Sequence, residues 1–162
     1  IIVDGRNYPD AISIAPYAAK NGLPILLANG NKLSDEQMSV IKKYGIDEAI
    51  IIGGQNSIGS SIDGLFNKST RVAGKDRYET SRLVAKKYFG DARKIVVASG
   101  RNFADALSVS YYAAQTNSPV VLTDGVKNDD NLLKMLKDFN FEELIAVGGV
   151  NSIKESILSN IK

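Results

Sequence analysis

At 162 residues, with 44% hydrophobic and 23% charged side chains, the chain is long enough to bury one ordinary α/β core or two small ones, and its composition is not that of a disordered chain. It contains neither Cys nor His, which removes zinc-finger sites, thiolate nucleophiles, Ser–His–Asp triads and imidazole acid–base chemistry together. The net charge is only +2, and the longest apolar runs, around Ala49–Ile52 and Pro119–Leu122, are strand-sized and far short of the roughly 18 residues that span a bilayer. The absence of Cys fits the cytosol and a Gram-positive-like exported setting equally. Ile1–Arg6 carries no basic n-region, apolar h-region or initiator Met, and reads as the interior of a longer chain.

The sequence matches itself at an offset of 95 residues. Gly5-Arg6-Asn7-Tyr8-Pro9-Asp10-Ala11 lies on Gly100-Arg101-Asn102-Phe103-Ala104-Asp105-Ala106. Without a gap, Tyr17-Ala18-Ala19 then falls on Tyr112-Ala113-Ala114, Pro24 on Pro119, Gly30 on Gly125, and Gly53-Gly54-Gln55-Asn56-Ser57-Ile58 on Gly148-Gly149-Val150-Asn151-Ser152-Ile153. About 24 identities over roughly 67 pairs mark an internal repeat. Residues 1–67 read as the later part of one repeat and residues 68–162 as a complete second one.

In chain order, Asp76-Arg77-Tyr78-Glu79 opens a helix with Asp76 as N-cap, expected to run to Tyr88-Phe89 and to end at Gly90 as a C′ residue. Ile95–Ala98 is a parallel-strand run ending at Ser99-Gly100. Phe103–Gln115 carries apolar and small residues on nearly every face, which predicts a largely buried helix. Pro119–Leu122 follows as a strand, and Asp129–Phe139 as an amphipathic helix with Leu132, Leu133, Leu136 and Phe139 at helical spacing. Leu144–Val147 is a third strand, stopped by Gly148-Gly149, and Ser152-Ile153-Lys154-Glu155 has the capping-box pattern of a last helix. Alternating βα units with short connections predict a three-layer α/β fold with a parallel sheet.

Ligands in such sheets collect outside the carboxyl ends of the strands. The loops expected there are Asp4–Asn7, Ala28–Gly30 and Gly53–Ser57 in the first copy, and Ser99–Asn102 with Asp105, Thr123–Gly125 and Gly148–Ser152 in the second. Arg6, Asn7, Arg101 and Asn102 suit binding of anions or polyols. The local alternative makes Asn102 and Asn56 helix caps, pairs Arg101 with Asp105, and leaves Gly53, Gly54, Gly148 and Gly149 to serve turns. Neither a dinucleotide Gly-x-Gly-x-x-Gly nor a Walker phosphate loop occurs, so no cofactor is expected. Asp4 becomes Ser99 and Asp124 becomes Asn29 between the copies, which argues against a carboxylate metal site. Asp10 and Asp105 do recur, inside a first helical turn, where they complement the helix dipole.

Charge is uneven along the chain. Lys68 to Arg101 holds ten basic residues against Asp76, Glu79 and Asp91, an excess of +7 that leaves −5 elsewhere. Arg71, Lys75, Arg77, Arg82, Lys86, Lys87, Arg93, Lys94 and Arg101 are candidates for a patch that meets an anionic polymer; a solvated helix face with ion pairs such as Glu79–Arg82 is the bland alternative. No nucleic-acid-binding motif is present, and a pI near 8.7 is below the usual footprint, so no nucleic acid and no membrane are expected as partners.

The segment Thr70-Arg71-Val72-Ala73-Gly74-Lys75-Asp76-Arg77-Tyr78-Glu79-Thr80-Ser81 resembles the opening signature of the type 2 cell wall binding repeat of clostridial and related surface proteins. Ala98-Ser99-Gly100 with Phe103–Leu107, the Pro24-Ile25-Leu26-Leu27 string with its weaker copy Pro119-Val120-Val121-Leu122, and the Val147–Ile153 ending resemble the same repeat. The resemblance implies Toprim-like or Rossmann-like modules, a secreted Gram-positive surface-layer protein, trimer-like packing of three repeats, and non-covalent anchoring to an anionic wall polysaccharide. By position it places Arg71, Arg77 and Tyr78 in the opening signature. The expected binding set is Arg6, Asn7, Arg71, Lys75, Arg77, Tyr78, Arg101 and Asn102, without catalysis. An α/β enzyme or small-ligand binder for a nucleotide or phosphosugar is the alternative, and docking to other surface-layer subunits a third reading.

Overall fold

The computed structural model describes residues 1–126, 129–149 and 151–155. Among these residues, seven strands and five helices follow one another: β1 (Ile2–Asp4), α1 (Pro9–Lys20), β2 (Leu26–Ala28), α2 (Asp35–Lys43), β3 (Glu48–Ile52), β4 (Lys68–Val72), α3 (Arg77–Tyr88), β5 (Lys94–Ser99), α4 (Phe103–Gln115), β6 (Val120–Thr123), α5 (Asp130–Asp138) and β7 (Glu143–Val147). A 3₁₀ turn at Asp63–Leu65 precedes β4. The strands form two wholly parallel sheets, ordered β2-β1-β3-β4 and β6-β5-β7. The expected helix after Ser152 falls largely on residues outside those described.

Alternation along the strands puts helices on both faces of each sheet. In β5, Ile95 and Val97 face a core with Ala85 of α3 and Leu132, Met135 and Leu136 of α5, while Val96 and Ala98 face Ala106, Val109 and Ala113 of α4. In β1, Ile2 packs toward Ile41 of α2, and Val3 packs toward Ile14 of α1, Val84 of α3 and Phe89 just after it. The predicted three-layer parallel α/β architecture is therefore present, twice.

Local signals start most of the helices where the sequence puts them. The Asp76 carboxylate accepts from the Glu79 N–H at 2.8 Å, Asn102 Oδ1 from the Ala104 N–H, and Asp129 from the Leu132 N–H. Two local expectations fail. Gly90 is not in the left-handed region, since α3 closes on Phe89, whose N–H bonds to Ala85 O. Asn56 caps no helix, because Gly54–Ser57 forms a tight turn closed by Ser57 N–H to Gly54 O.

Sequence periodicity also misses β4, and the sheet it joins. Lys68–Val72 opens the segment read as the second repeat, yet it pairs with β3 and is the edge of the first sheet. Helix α3 then lies between the two sheets: Val84 and Phe89 belong to the first core, Ala85 to the second. Helix α1 crosses as well, placing Ile12 (4% exposed) among Val96, Ala106, Val109 and Leu122 of the second repeat.

One burial expectation is corrected by this arrangement, and the two copies of one apolar string differ in exposure. Helix α4 buries Ala106, Val109 and Ala113 but exposes Phe103, Leu107 (57%) and Tyr111 (77%). These three correspond, 95 residues earlier, to Tyr8, Ile12 and Pro16, of which Tyr8 and Ile12 pack into the core of the second sheet. The Pro-Ile-Leu-Leu string is an exposed edge, with Leu27 54% accessible and Pro24 exposed, whereas its copy from Pro119 to Leu122 is fully buried. The copy is covered because α1 and α3 pack on β6, whereas the Leu27 side of β2 is left exposed.

Candidate functional site

The carboxyl ends of β1, β3 and β4 converge on a cleft of about 450 Å³, closed on one side by the start of α3. Asn7, Asp10, Gln55, Asn56, Ser57, Lys75 and Arg77 line it, with Asp4 at its base. Strand geometry explains the grouping: each parallel strand ends at the same side, so the loops after Asp4, Ile52 and Val72 meet. Gly53, at φ +127°, makes the close approach possible, because a side chain there would lie 2.8 Å from an Asp10 carboxylate oxygen. The same relation recurs at Gly148 and Asp105, at the same distance.

Of the eight residues expected to bind, the cleft gathers Asn7, Lys75 and Arg77. Lys75 is exposed, and its ammonium has no partner among the described residues. Arg77 donates to Gly100 O at 2.8 Å and lies over the Tyr8 ring, 5.6 Å from its centroid. Arg77 thus links the loop after β5 to Tyr8 while facing the cleft. Tyr78 packs into the second core beside Gly100, and burial, with Asp124 nearby, pushes its phenol up from its usual range.

The remaining arginines are occupied inside the protein. Arg71 pairs with Asp63 and donates to Gly53 O at 2.7 Å, and this pair holds the Asp63 carboxyl below its ordinary value. Arg6 chelates Asp4 at 2.9 Å and 3.0 Å and donates to Ser57 O, so Asp4 is likewise held down, mainly by its hydrogen bond to Arg6. Arg101 pairs with Asp124 at 2.9 Å rather than with Asp105, and Asn102 caps α4. Arg101 and Asn102 sit at the end of the other sheet, away from the cleft.

The basic block is largely neutralised by the acidic remainder of the chain. Among the described residues, Lys68, Arg71, Arg82, Lys86, Arg93, Lys94 and Arg101 each form an ion pair, with Glu48, Asp63, Asp129, Asp138, Glu142, Glu143 and Asp124 respectively. Arg82 therefore does not pair with Glu79; it is 8% exposed and reaches Asp129 at 3.0 Å, while Glu79 accepts from the Lys75 N–H. The +7 excess of Lys68–Arg101 and the −5 of the remainder are two sides of one set of pairings.

Asp10 was legible only as a dipole-complementing residue, and the cleft gives it another character. Burial pushes its pKa up to about 6, reinforced by the Asp4 charge and opposed by Arg77. Its recurrence as Asp105, opposite a recurring Gly-Gly, was the available signal. Among the described residues no group of three His, Cys, Asp or Glu is placed to hold a metal, and no helix is long and apolar enough to cross a membrane.

Fold and site together define a parallel α/β protein of two sheets, with loops that meet at the carboxyl ends of the first sheet beside the start of α3. The chain belongs to the cell wall binding domain 2 (CWB2) family, matching it over residues 1–63 and 71–158. It resembles N-acetylmuramoyl-L-alanine amidase LytC of Bacillus subtilis, with 28% identity over 162 residues, all of this chain and 33% of that protein. It resembles the amidase enhancer of the same organism at 35% identity over 132 residues, 80% of this chain and 17% of that one. Among solved structures, Cwp6 from Clostridium difficile superposes with a TM-score of 0.87 at 32% identity, covering 99% of this chain and 26% of its own. Cwp8 from the same organism gives 0.84 at 30%, covering 99% and 28%. The chain thus spans a third or less of the length of these relatives. Family membership makes it a cell wall binding module at the wall or cell surface.

Proposed function

We propose that this chain anchors a secreted Gram-positive surface protein non-covalently to an anionic secondary wall polymer, without catalysing a reaction. The observation that carries the reading is the cleft beside the start of α3, where Lys75, whose ammonium has no partner among the described residues, stands near Asn7 and Arg77. Because most other cations of the Lys68–Arg101 block are already paired, the polymer contact is local: a few charge-assisted hydrogen bonds per junction, summed over several junctions. The sugar hydroxyls of such a polymer suit the Asn, Gln and Ser side chains of the same cleft. Arg101 and Asn102 belong to the equivalent position of the second repeat.

Residues 1–67 and 68–162 are the two repeat units of this reading, and a third unit completes them. The exposed Phe103, Leu107 and Tyr111 face of α4 matches the face that α1 buries on the second repeat, and the exposed Leu27 edge matches the buried Leu122. Such a head-to-tail interface closes into a ring when its rotation allows, which supports trimer-like packing. Other surface-layer subunits are candidate neighbours of the assembled ring.

Co-sedimentation with purified wall sacculi across a salt series tests the reading, with anionic polymers extracted in one arm. Binding lost after extraction and at high salt, and weakened by Asn7→Ala with Lys75→Ala, is the expected result. Retention that ignores both extraction and salt refutes polymer anchoring. A second reading, a binder of nucleotides or phosphosugars, draws on the raised Asp10 in the same cleft; a thermal shift with those compounds, with and without magnesium, would favour it.

A further inference from the structure

The two sheets differ by one strand, and the repeat identifies which. β3 lies between β1 and β4, whereas its counterpart β7 pairs with β5 alone among the described residues. Glu48, Ile50 and Gly53 recur as Glu143, Ile145 and Gly148, so the two strands share register as well as position. In the first sheet, β4 occupies the edge: its Val72 O accepts from Gly53 N–H at 2.9 Å, and Val72 covers a fully buried Ile52. In the second, Gly148 N–H has no backbone partner among the described residues, and Val147, the counterpart of Ile52, is only half-buried.

We infer that the outer edge of β7 is an acceptor for a parallel strand, and that its occupant is the opening strand of a further repeat, with the pattern of Lys68–Val72. Three observations select this occupant. A parallel partner needs the crossover that β3 and β4 already show within this chain. The intervening length is available, since fifteen residues separate Ile52 from Lys68 and the sequence continues at least as far beyond Val147. Finally, the opposite edge of the same sheet is already guarded, because Leu122 N–H of β6 donates to the buried Ser81 hydroxyl of α3 at 2.9 Å. An open edge on one side and a guarded one on the other gives the addition a direction. Successive repeats are then joined by strand exchange, each repeat's first strand finishing the sheet of the one before. This stands whether or not the module binds a wall polymer.

The test appends a second copy of residues 68–76 after Lys162 and follows amide hydrogen exchange, with a parallel extension carrying Thr70→Pro in the appended copy. Proline there removes a ladder donor from the added strand. Exchange at Ala146, Val147 and Gly148 is expected to slow by at least about tenfold in the first extension and not in the second, with a higher unfolding temperature for the first alone. Unchanged exchange in both, or equal slowing in both, overturns the inference. So does protection of β7 in the unextended chain accompanied by dimerisation, which assigns the edge to a second copy.

Discussion

Truncating Ile12 and Leu107 to Ala separates burial from sequence most cleanly, because the two residues occupy the same repeat position. Ile12 is 4% exposed and packs among Val96, Ala106, Val109 and Leu122, whereas Leu107 is 57% exposed. Ile12→Ala removes three buried carbons, about 2.4 kcal/mol of transfer free energy at ~0.8 kcal/mol per methylene, before the cavity is counted. With a cavity that close-packed neighbours cannot fill, the loss reaches ~3–4 kcal/mol. Leu107→Ala forfeits only the covered part of its side chain and leaves no cavity, so it costs ~1 kcal/mol or less. Urea denaturation at equal protein concentration reads both, with the midpoint converted through the m-value. Because Ile12 belongs to the first repeat and its neighbours to the second, Ile12→Ala should also separate the unfolding of the two sheets into two transitions. Equal destabilisation by the two substitutions would refute the assignment of α1 as the inter-repeat helix.

Three further outcomes follow from the ion pairs and the cleft. Arg71→Ala leaves Asp63 partly buried without its partner and deprives Gly53 O of a donor, and should cost ~2–3 kcal/mol in urea denaturation. Arg93→Ala breaks a pair whose members are 71% and 65% exposed, and should change stability by less than about 0.5 kcal/mol; a larger loss would show that the surface pairs act as a network. For Asp10, the folded carboxyl binds its proton more tightly than the unfolded one, because burial pushes its pKa up to about 6. Its contribution is therefore fully present below about pH 4 and is lost as pH rises toward 6, a decline of up to about 2–3 kcal/mol. Asp4 and Asp63 are held down and lose their contribution only below the ordinary carboxylate range, so they do not mask that window. Asp10→Asn should flatten the dependence between pH 4 and 6 and raise stability at neutral pH; an unchanged slope would show that Asp10 is not the group responsible.

The helix starts at Asp76, Asn102 and Asp129, the strand–helix alternation and the repeat offset were all readable from the amino-acid order, because caps, periods and duplications act within a few residues or between identical strings. The family signature was readable for the same reason. Partners distant in the chain were not. Arg82 meets Asp129, 47 residues away, and Lys86 meets Asp138, 52 away, so a block that counts as strongly basic in sequence is mostly neutralised in space. Asp10 needed the approach of Gly53 and Asp4 before burial could change its protonation. Lys68–Val72 shows neither a long apolar run nor clear alternation, and only its pairing with β3 makes it a strand. Ile12 and Leu107, or Leu27 and Leu122, hold the same repeat position with opposite exposure, since elements from elsewhere in the chain cover one member of each pair and not the other. Local sequence determined which elements form. Tertiary structure decided which faces they bury and which charges remain free, because burial and ion pairing depend on atoms that folding brings from far along the chain.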